Sequence, residues 1–289
     1  MPSALLFVIN PLSGGKQKND HEAAIKKYFE KLPHKVNFFL LNDKNDAKEL
    51  ENCIEQVKPD KVVAVGGDGT VSMVAKKILG TDMQLGILPA GSANGMAREL
   101  RISLNIEEAL NTVENGIVKK ADVIKVNDEI CLHLSDIGLN AQLIKYFEEG
   151  NRRGIWGYAK VVLKVLLRKQ NIRVIIHSKE IAIKRNALMV VLANASKYGT
   201  GAVINPGGDL YDGLFEVVII RKLSLSTLLK VWFKPRSFDP KKIEVIQATS
   251  VHIETHRKVH FQVDGEYMGK VKKVDAKILP AQLNIILPK

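Results

Sequence analysis

An α/β domain built on a doubly wound parallel sheet, followed by a β-rich domain, is the fold class this sequence predicts. Three observations carry that expectation. Up to about residue 120, apolar runs of strand length alternate with amphipathic stretches of helical period. Beyond that point short strands and turn residues dominate. In the first half, moreover, strands run directly into glycine-bearing turns that open helices, as at the ligand-binding edge of a parallel sheet.

The elements follow in order. Ala4–Asn10 is a continuous apolar run, suited to a strand buried on both faces. Asn19 or Asp20 caps a helix to about Leu32, with Ala24, Ile25, Tyr28 and Phe29 on one face. Val36–Leu41 is a second strand, and Asp46 caps a helix to about Val57. Pro59-Asp60 turns the chain into strand Lys61–Val65, followed by a helix from about Val71, strand Leu85–Leu88 and a helix from about Ser92. Asn105-Ile106-Glu107-Glu108 has the form of a capping box opening one more helix. From about Ala121 the expected strands are 121–126, 129–136, 171–177, 180–186, 188–194, 214–220, 250–255 and 259–263, with hairpin turns at Asn127-Asp128 and Ser178-Lys179. Helices are expected near 156–169 and 224–233. The domains are placed at 1–121 and 122–289, with the last strand free to return to the first.

Composition narrows the class. The chain has 289 residues, 46% hydrophobic and 26% charged, an ordinary globular balance that excludes extensive disorder. No apolar stretch approaches bilayer-spanning length, and the first ten residues read as a strand rather than a signal peptide, so a cytoplasmic protein is expected. Cys53 and Cys131 lie far apart in apolar runs and read as buried thiols of a reducing compartment. The formal net charge of +12 suits an anionic partner such as a nucleotide or an acidic membrane. A nucleic-acid role would rest on charge alone, since no basic, aromatic-studded reader stretch is present.

Three corners carry the chemistry. Val65-Gly66-Gly67-Asp68-Gly69-Thr70 follows a strand and opens a helix, so backbone N–H groups and the helix dipole can meet an anion closely. Asp68 is unexpected in such a loop unless it holds a metal or a lysine; taken alone, Gly-Asp-Gly is also plain turn chemistry. Asn10-Pro11-Leu12-Ser13-Gly14-Gly15-Lys16 is a second corner, with a lysine placed to reach phosphate. Pro89-Ala90-Gly91-Ser92-Ala93-Asn94-Gly95 is a third. In a parallel sheet all three emerge at one edge.

Together, in this order and spacing, these segments resemble the diacylglycerol kinase catalytic-domain family, which includes sphingosine and ceramide kinases and soluble bacterial lipid kinases. The resemblance extends through Asn205-Pro206, Asp209, Asp212-Gly213-Leu214, Val263-Asp264-Gly265-Glu266 and Ile278-Leu279-Pro280-Ala281, and so spans essentially the whole chain. It implies a nucleotide cleft between an α/β domain and a β-sandwich domain. It also implies transfer of a phosphoryl group from ATP to a lipid hydroxyl at a membrane surface. By position the ATP site would use Asn10, Ser13, Gly14, Lys16, Asn42, Gly66, Gly67, Asp68, Gly69, Thr70, Ser92 (where the family usually has threonine) and Asn94. A structural Mg²⁺ would be held by Asp209, Asp212 and the carbonyl of Leu214, hard oxygen ligands that suit that ion. Glu266 would be the general base, with Asp264 beside it and Asp68 in the catalytic charge network. The competing readings are an ion-free Asp/Gly turn at 209–213 and a simple hairpin corner at Asp264-Gly265.

Two departures from the family pattern stand out. Val71-Ser72-Met73 replaces x-Asn-Glu, and Gly95 stands where aspartate is common, which thins a charge network expected to include Asp68 and Asp122. They keep a catalytically silent nucleotide- or lipid-binding member in view. An NAD kinase is a further alternative, because that family shares the Gly-Gly-Asp-Gly-Thr loop. Basic amphipathic segments at 152–169, with Trp156, and 228–236, with Trp232, suit an anionic membrane interface, although core-facing helices with lysine-rich outer faces would look the same. His133, His252 and His260 sit in strand patterns and read as structural. The acceptor lipid and the oligomeric state, including a homodimer, are left open.

Overall fold

The computed structural model describes residues 2–13, 21–42, 46–149, 171–178, 181–198, 202–203, 205, 207–222 and 242–289. They fall into two compact units. The first runs to Ala121 and includes Ala281–Lys289; the second comprises Asp122–Tyr198 and Ala202–Pro280.

The first unit is built from β1 (Ala4–Ile9), α1 (His21–Phe29), β2 (Lys35–Leu40), α2 (Asp46–Val57), β3 (Lys61–Gly66), α3 (Asp68–Ile78), β4 (Gln84–Pro89), α4 (Gly95–Glu99) and α5 (Ile106–Asn115). Strands β2, β1, β3 and β4 lie side by side in that order and run parallel. Helix α1 packs with α5 and α2 with α3, so two helical layers cover the sheet. The apolar runs follow from this: Leu5–Ile9 and Val62–Val65 are buried without interruption because both faces of a central parallel strand are covered. Phe7 anchors one layer, its ring 5.7 Å from that of Phe29 on α1 and 5.9 Å from that of Phe38 on β2. Asn105 caps α5 by accepting the N–H groups of Glu107 (2.9 Å) and Glu108 (3.2 Å).

The chain enters the second unit within β5 (Ile117–Val126). There follow β6 (Glu129–Cys131), β7 (Leu134–Gly138), α6 (Leu139–Glu149), β8 (Ile172–Ser178), β9 (Ile181–Ala187), β10 (Met189–Ala193), β11 (Lys197–Tyr198), β12 (Ala202–Val203), β13 (Phe215–Ile220), β14 (Ile243–Ala248), β15 (Ser250–Val263) and β16 (Glu266–Leu287). One antiparallel layer has the order β14-β13-β10-β7-β15. In the other, the first half of β15 pairs with β8, β8 with β9, and β16 runs along β15 with β5 and β6 beyond it. Strand β15 serves both layers through irregular pairing between Glu254 and Val259. A single buried cluster, with Ile124, Ile137, Phe215, Ile253, Phe261 and Val274 among its members, fills the interior of this β-sandwich.

Several elements differ from the sequence expectation. The strand expected over 129–136 is broken at Leu132-His133, where the backbone N–H groups turn to a side chain described below. Helix α6 is an addition to the expected elements, because Gly138-Leu139-Asn140 reads as turn chemistry. Strand β14 and most of β16 are additions too: Lys270, Lys272, Lys273 and Lys277 mask the alternation that buries Val274, Ala276 and Ile278. The runs 250–255 and 259–263 form one strand. Cys131 is buried, whereas Cys53 is half-buried, since it flanks rather than joins the Leu50–Ile54 stripe of α2. The helices expected near 156–169 and 224–233, and with them both basic segments, lie outside the described residues. Among the described residues, no helix is long and apolar enough to cross a membrane.

Past Ala281, whose φ is +53°, β16 belongs to the first unit, where Asn284 and Ile285 pair in parallel with Gln84 and Leu85 of β4. Gly116 seals this return: a Cβ there would stand 2.4 Å from the carbonyl oxygen of Leu287 and 2.5 Å from that of Thr112. Its φ of −65° suits any residue, so the constraint is purely steric. Gly116→Ala is expected to lower the free energy of unfolding by about 1–3 kcal/mol, the usual cost of forcing a methyl into packed backbone, as measured by urea denaturation.

Candidate active site

Strands β1, β3 and β4 are neighbours, so their carboxyl ends deliver three corners to one edge of the first sheet. Asn10 follows β1. Its backbone N–H donates to the carbonyl of Val65 (3.0 Å), and its side-chain amide donates to Thr70 Oγ1 (3.4 Å), while its Oδ1 accepts the N–H of Leu12 (2.9 Å). Thr70 is buried, and a Cβ on Gly66 would meet its Oγ1 at 2.3 Å, so Gly66 leaves room for the threonine that holds the first corner. Ser13 is half-buried, its N–H on the carbonyl of Asn10 (3.2 Å). Gly14 and Lys16 lie outside the described residues. Asn42 follows β2 at the same edge and is exposed, its N–H on Asp46 Oδ1 (2.9 Å).

The second and third corners touch through their backbones. A Cβ on Gly91 would stand 2.4 Å from the Cα of Gly67, and one on Gly67 would stand 3.3 Å from the Cα of Gly91. Across this contact the Asp68 carboxylate accepts the N–H of Gly95 (3.0 Å) and of Met96 (2.9 Å). The first residue of α3 thus caps the start of α4, a use of Asp68 other than the metal or lysine that its loop suggests. Asn94 supplies no side-chain cap of its own; it sits in the left-handed region (φ 50°), and its amide closes a ring with Gly91 through two 2.8 Å hydrogen bonds. Gly67 is the N-cap of α3 and, having no side chain, leaves the first-turn N–H groups uncovered. Gly69 has open space where its Cβ would be, and Ser92 is exposed at the tip of its corner. At the departures from the family pattern, Ser72 is buried, Met73 half-buried and Gly95 buried. The edge can therefore offer several backbone donors and a helix N-terminus to an anion.

The second unit positions the remaining candidates by itself. Asp264 and Gly265 both have positive φ (47° and 90°) and form the two-residue turn between β15 and β16, which leaves Glu266 exposed on the first residue of β16, opposite Val263. The turn is more than a corner. The Asp264 carboxylate accepts the N–H groups of Leu132 (2.8 Å), His133 (2.9 Å) and Leu134 (3.2 Å), and the Cys131 thiol donates to it at 3.4 Å. Burial, reinforced by this neighbouring charge, pushes the Cys131 thiol well above its ordinary range. These bonds interrupt the strand expected over 129–136.

Asp209 and Asp212 are exposed on the loop before β13. Each carboxylate accepts an N–H two residues on, from Tyr211 (3.0 Å) and Leu214 (2.9 Å) respectively. Asp122, expected in a charge network, is buried and serves the same loop, accepting the N–H of Gly213 (2.7 Å). Buried Asn194, which nothing in the local sequence singles out, donates to the carbonyls of Asp122 (2.8 Å) and Leu132 (2.9 Å). The 209–214 loop and the 264–266 turn are thereby braced to one scaffold. Asn205 is buried against Glu216, and this pair anchors the start of the acidic loop. Two carboxylates and a carbonyl oxygen are hard donors of the kind Mg²⁺ takes; among the described residues there is no cluster of three His, Cys, Asp or Glu side chains placed for a metal. His252 binds Asp275 and Glu254, and His260 meets the hydroxyl of Tyr267 (2.8 Å), both consistent with structural roles.

Comparison with known proteins matches this layout. Residues 4–126 match the family model described as "Diacylglycerol kinase catalytic domain", and residues 136–287 the one described as "YegS C-terminal NAD kinase beta sandwich-like domain". A protein named diacylglycerol kinase from Bacillus subtilis is 24% identical, covering 98% of this chain and 96% of the relative. Another of that name from Mycobacterium tuberculosis is 27% identical, covering 97% and 94%. A solved structure of a diacylglycerol kinase from Bacillus anthracis shares the fold with a TM-score of 0.77 at 20% identity, covering 98% of this chain and 96% of that one.

The Gly67–Gly91 contact makes a paired prediction. Gly91→Ala forces backbone against backbone and is expected to cost about 1–3 kcal/mol of stability. Gly69→Ala, in the same corner but facing open space, is expected to be neutral or to stabilise by up to about 1 kcal/mol, as alanine favours helix. Thermal denaturation of the two variants side by side measures the difference.

Proposed function

The chain belongs to the diacylglycerol kinase catalytic-domain family, a family of lipid kinases, and on that premise we propose that it is an ATP-dependent kinase acting on a lipid hydroxyl. The observation that carries this reading is the meeting of three glycine-bearing corners at one sheet edge, held by Asn10–Thr70, Gly67–Gly91 and the Asp68 carboxylate. Gly66, Gly67, Gly69 and Thr70 would bring backbone N–H groups and the α3 dipole to the phosphates. Asn10, Ser13 and Gly14 would close one side, Ser92 and Asn94 the other, with Asn42 further along the edge and Lys16 supplying positive charge. Asp68 would act by fixing the third corner relative to the second.

Glu266 would take the proton from the lipid hydroxyl as that oxygen attacks the terminal phosphorus of ATP and the bond to the bridging oxygen breaks to release ADP, and Asp264 would hold the turn that presents Glu266. Asp209, Asp212 and the Leu214 carbonyl would hold a structural Mg²⁺, whose charge would fix the loop that carries the two carboxylates. The lipid would be met at a membrane surface, where a net charge of +12 favours an anionic bilayer. A catalytically silent member of the fold is the second reading, motivated by Gly95 and Ser72-Met73 at positions where the family pattern carries acidic and amide side chains.

The test is labelled ATP with Mg²⁺, offered to a panel of diacylglycerol, sphingoid base, ceramide and phospholipid in mixed vesicles, with NAD alongside. Label is expected on one lipid class, and Glu266→Ala is expected to lower kcat by about 10²–10⁴-fold, the range for a lost general base. Activity surviving Glu266→Ala would overturn the role of that residue. ATP binding without a labelled lipid would establish the silent member, and labelled NAD an NAD kinase.

A further inference from the structure

Beneath the Glu266 turn lies a buried polar relay that the proposed chemistry does not itself use. Ser135, Asp136 and Gln262 are 0%, 1% and 0% exposed. The Asp136 carboxylate accepts the side-chain amide of Asn140 (2.6 Å) and the N–H of Ala141 (2.9 Å), both at the start of α6, and also the side-chain amide of Gln262. The other end of that glutamine, Oε1, accepts the N–H of Gly265 in the turn (2.8 Å). Ser135 Oγ donates to the backbone carbonyl of Gln262 (2.7 Å), so the glutamine is held at backbone and side chain alike.

The chemistry of the relay has a direction. A primary amide has one donor end and one acceptor end, and nothing intrinsic decides which faces the turn. An ionised carboxylate only accepts. Asp136 therefore forces the NH₂ of Gln262 toward itself and the carbonyl toward the N–H of Gly265. Turned the other way, Gln262 would set two donors against each other at Gly265 and two acceptors against each other at buried Asp136.

Such a carboxylate is not kept for stability. Burial outweighs its three hydrogen bonds and raises the Asp136 carboxyl to about 6. A group whose folded-state value lies above its unfolded value costs stability once pH exceeds both, so near pH 8 the ionised Asp136 opposes folding. What the charge provides is one defined orientation of Gln262, and through it of the Gly265 peptide that leads into Glu266.

Resting on the lipid-kinase reading above, we propose that Asp136 and Gln262 are positioning residues that orient the Asp264–Glu266 turn for proton abstraction. The consequence is a separation of stability from turnover. Asp136→Asn removes the buried charge but adds a donor, which lets the Gln262 amide turn around. Gln262→Met removes the bond to Gly265 and keeps the side-chain volume.

Steady-state kinetics at pH 8 with ATP and the accepted lipid, together with thermal denaturation, test this. Both variants are expected to lose about 10- to 100-fold in kcat, as for a displaced reacting group, with KM for ATP within about twofold of wild type. Asp136→Asn is expected to melt no lower than wild type at that pH. A kcat within about twofold of wild type in either variant overturns the proposal, as does a loss of kcat in Asp136→Asn that comes only with a lower melting temperature. A wild-type protein that phosphorylates no lipid refutes the kinase reading, and this inference falls with it; the other outcomes leave that reading intact.

Discussion

Two backbones meet at Gly67 and Gly91, and the geometry of the three corners at the first unit's sheet edge depends on that contact. Any side chain at Gly91 would push the third corner off the second, since the obstacle is the Cα of Gly67 rather than a flexible group. Asp68 bridges the same gap with two hydrogen bonds to the start of α4, and Asn94 adopts the left-handed backbone that turns the chain into this helix. Asn10 brings in the first corner through buried Thr70. A continuous set of contacts thus joins three corners that are far apart in sequence.

The second unit achieves an analogous result with carboxylates instead of glycines. Asp264 gathers three backbone N–H groups, Asp136 orients Gln262, and Asp122 holds the loop that carries Asp209 and Asp212. Each of these three side chains is used inward, to fix a turn, while Glu266, Asp209 and Asp212 on the same turns stay exposed. Asp136 and Asp122 are buried and Asp264 half-buried; a buried carboxylate is expensive, so their concentration around these turns marks a place where geometry is closely defined.

Much of this is legible in the sequence. Continuous apolar runs locate the parallel strands because both faces of β1 and β3 are covered, and the glycines mark where two corners touch because the backbone-to-backbone approach of Gly67 and Gly91 leaves no room for a side chain. What stays hidden depends on partners distant in the chain. Nothing local tells Asp264 that it will interrupt a strand more than a hundred residues earlier, and Gln262 and Asn194 look like ordinary strand and turn residues until their buried partners are in place. The lysines of β16 mask its alternation, since a long flexible cation on the outward face says little about the residue that follows it.

If the three corners form one anion site, occupying it must order them together. Hydrogen exchange of the backbone amides with and without ATP and Mg²⁺ tests this most directly. Nucleotide is expected to slow exchange in the 66–71 and 91–96 segments at the same concentration, with Asn10–Ser13 following. Protection confined to one corner, or absent from all of them while ATP binds elsewhere, would contradict a shared phosphate site at this edge.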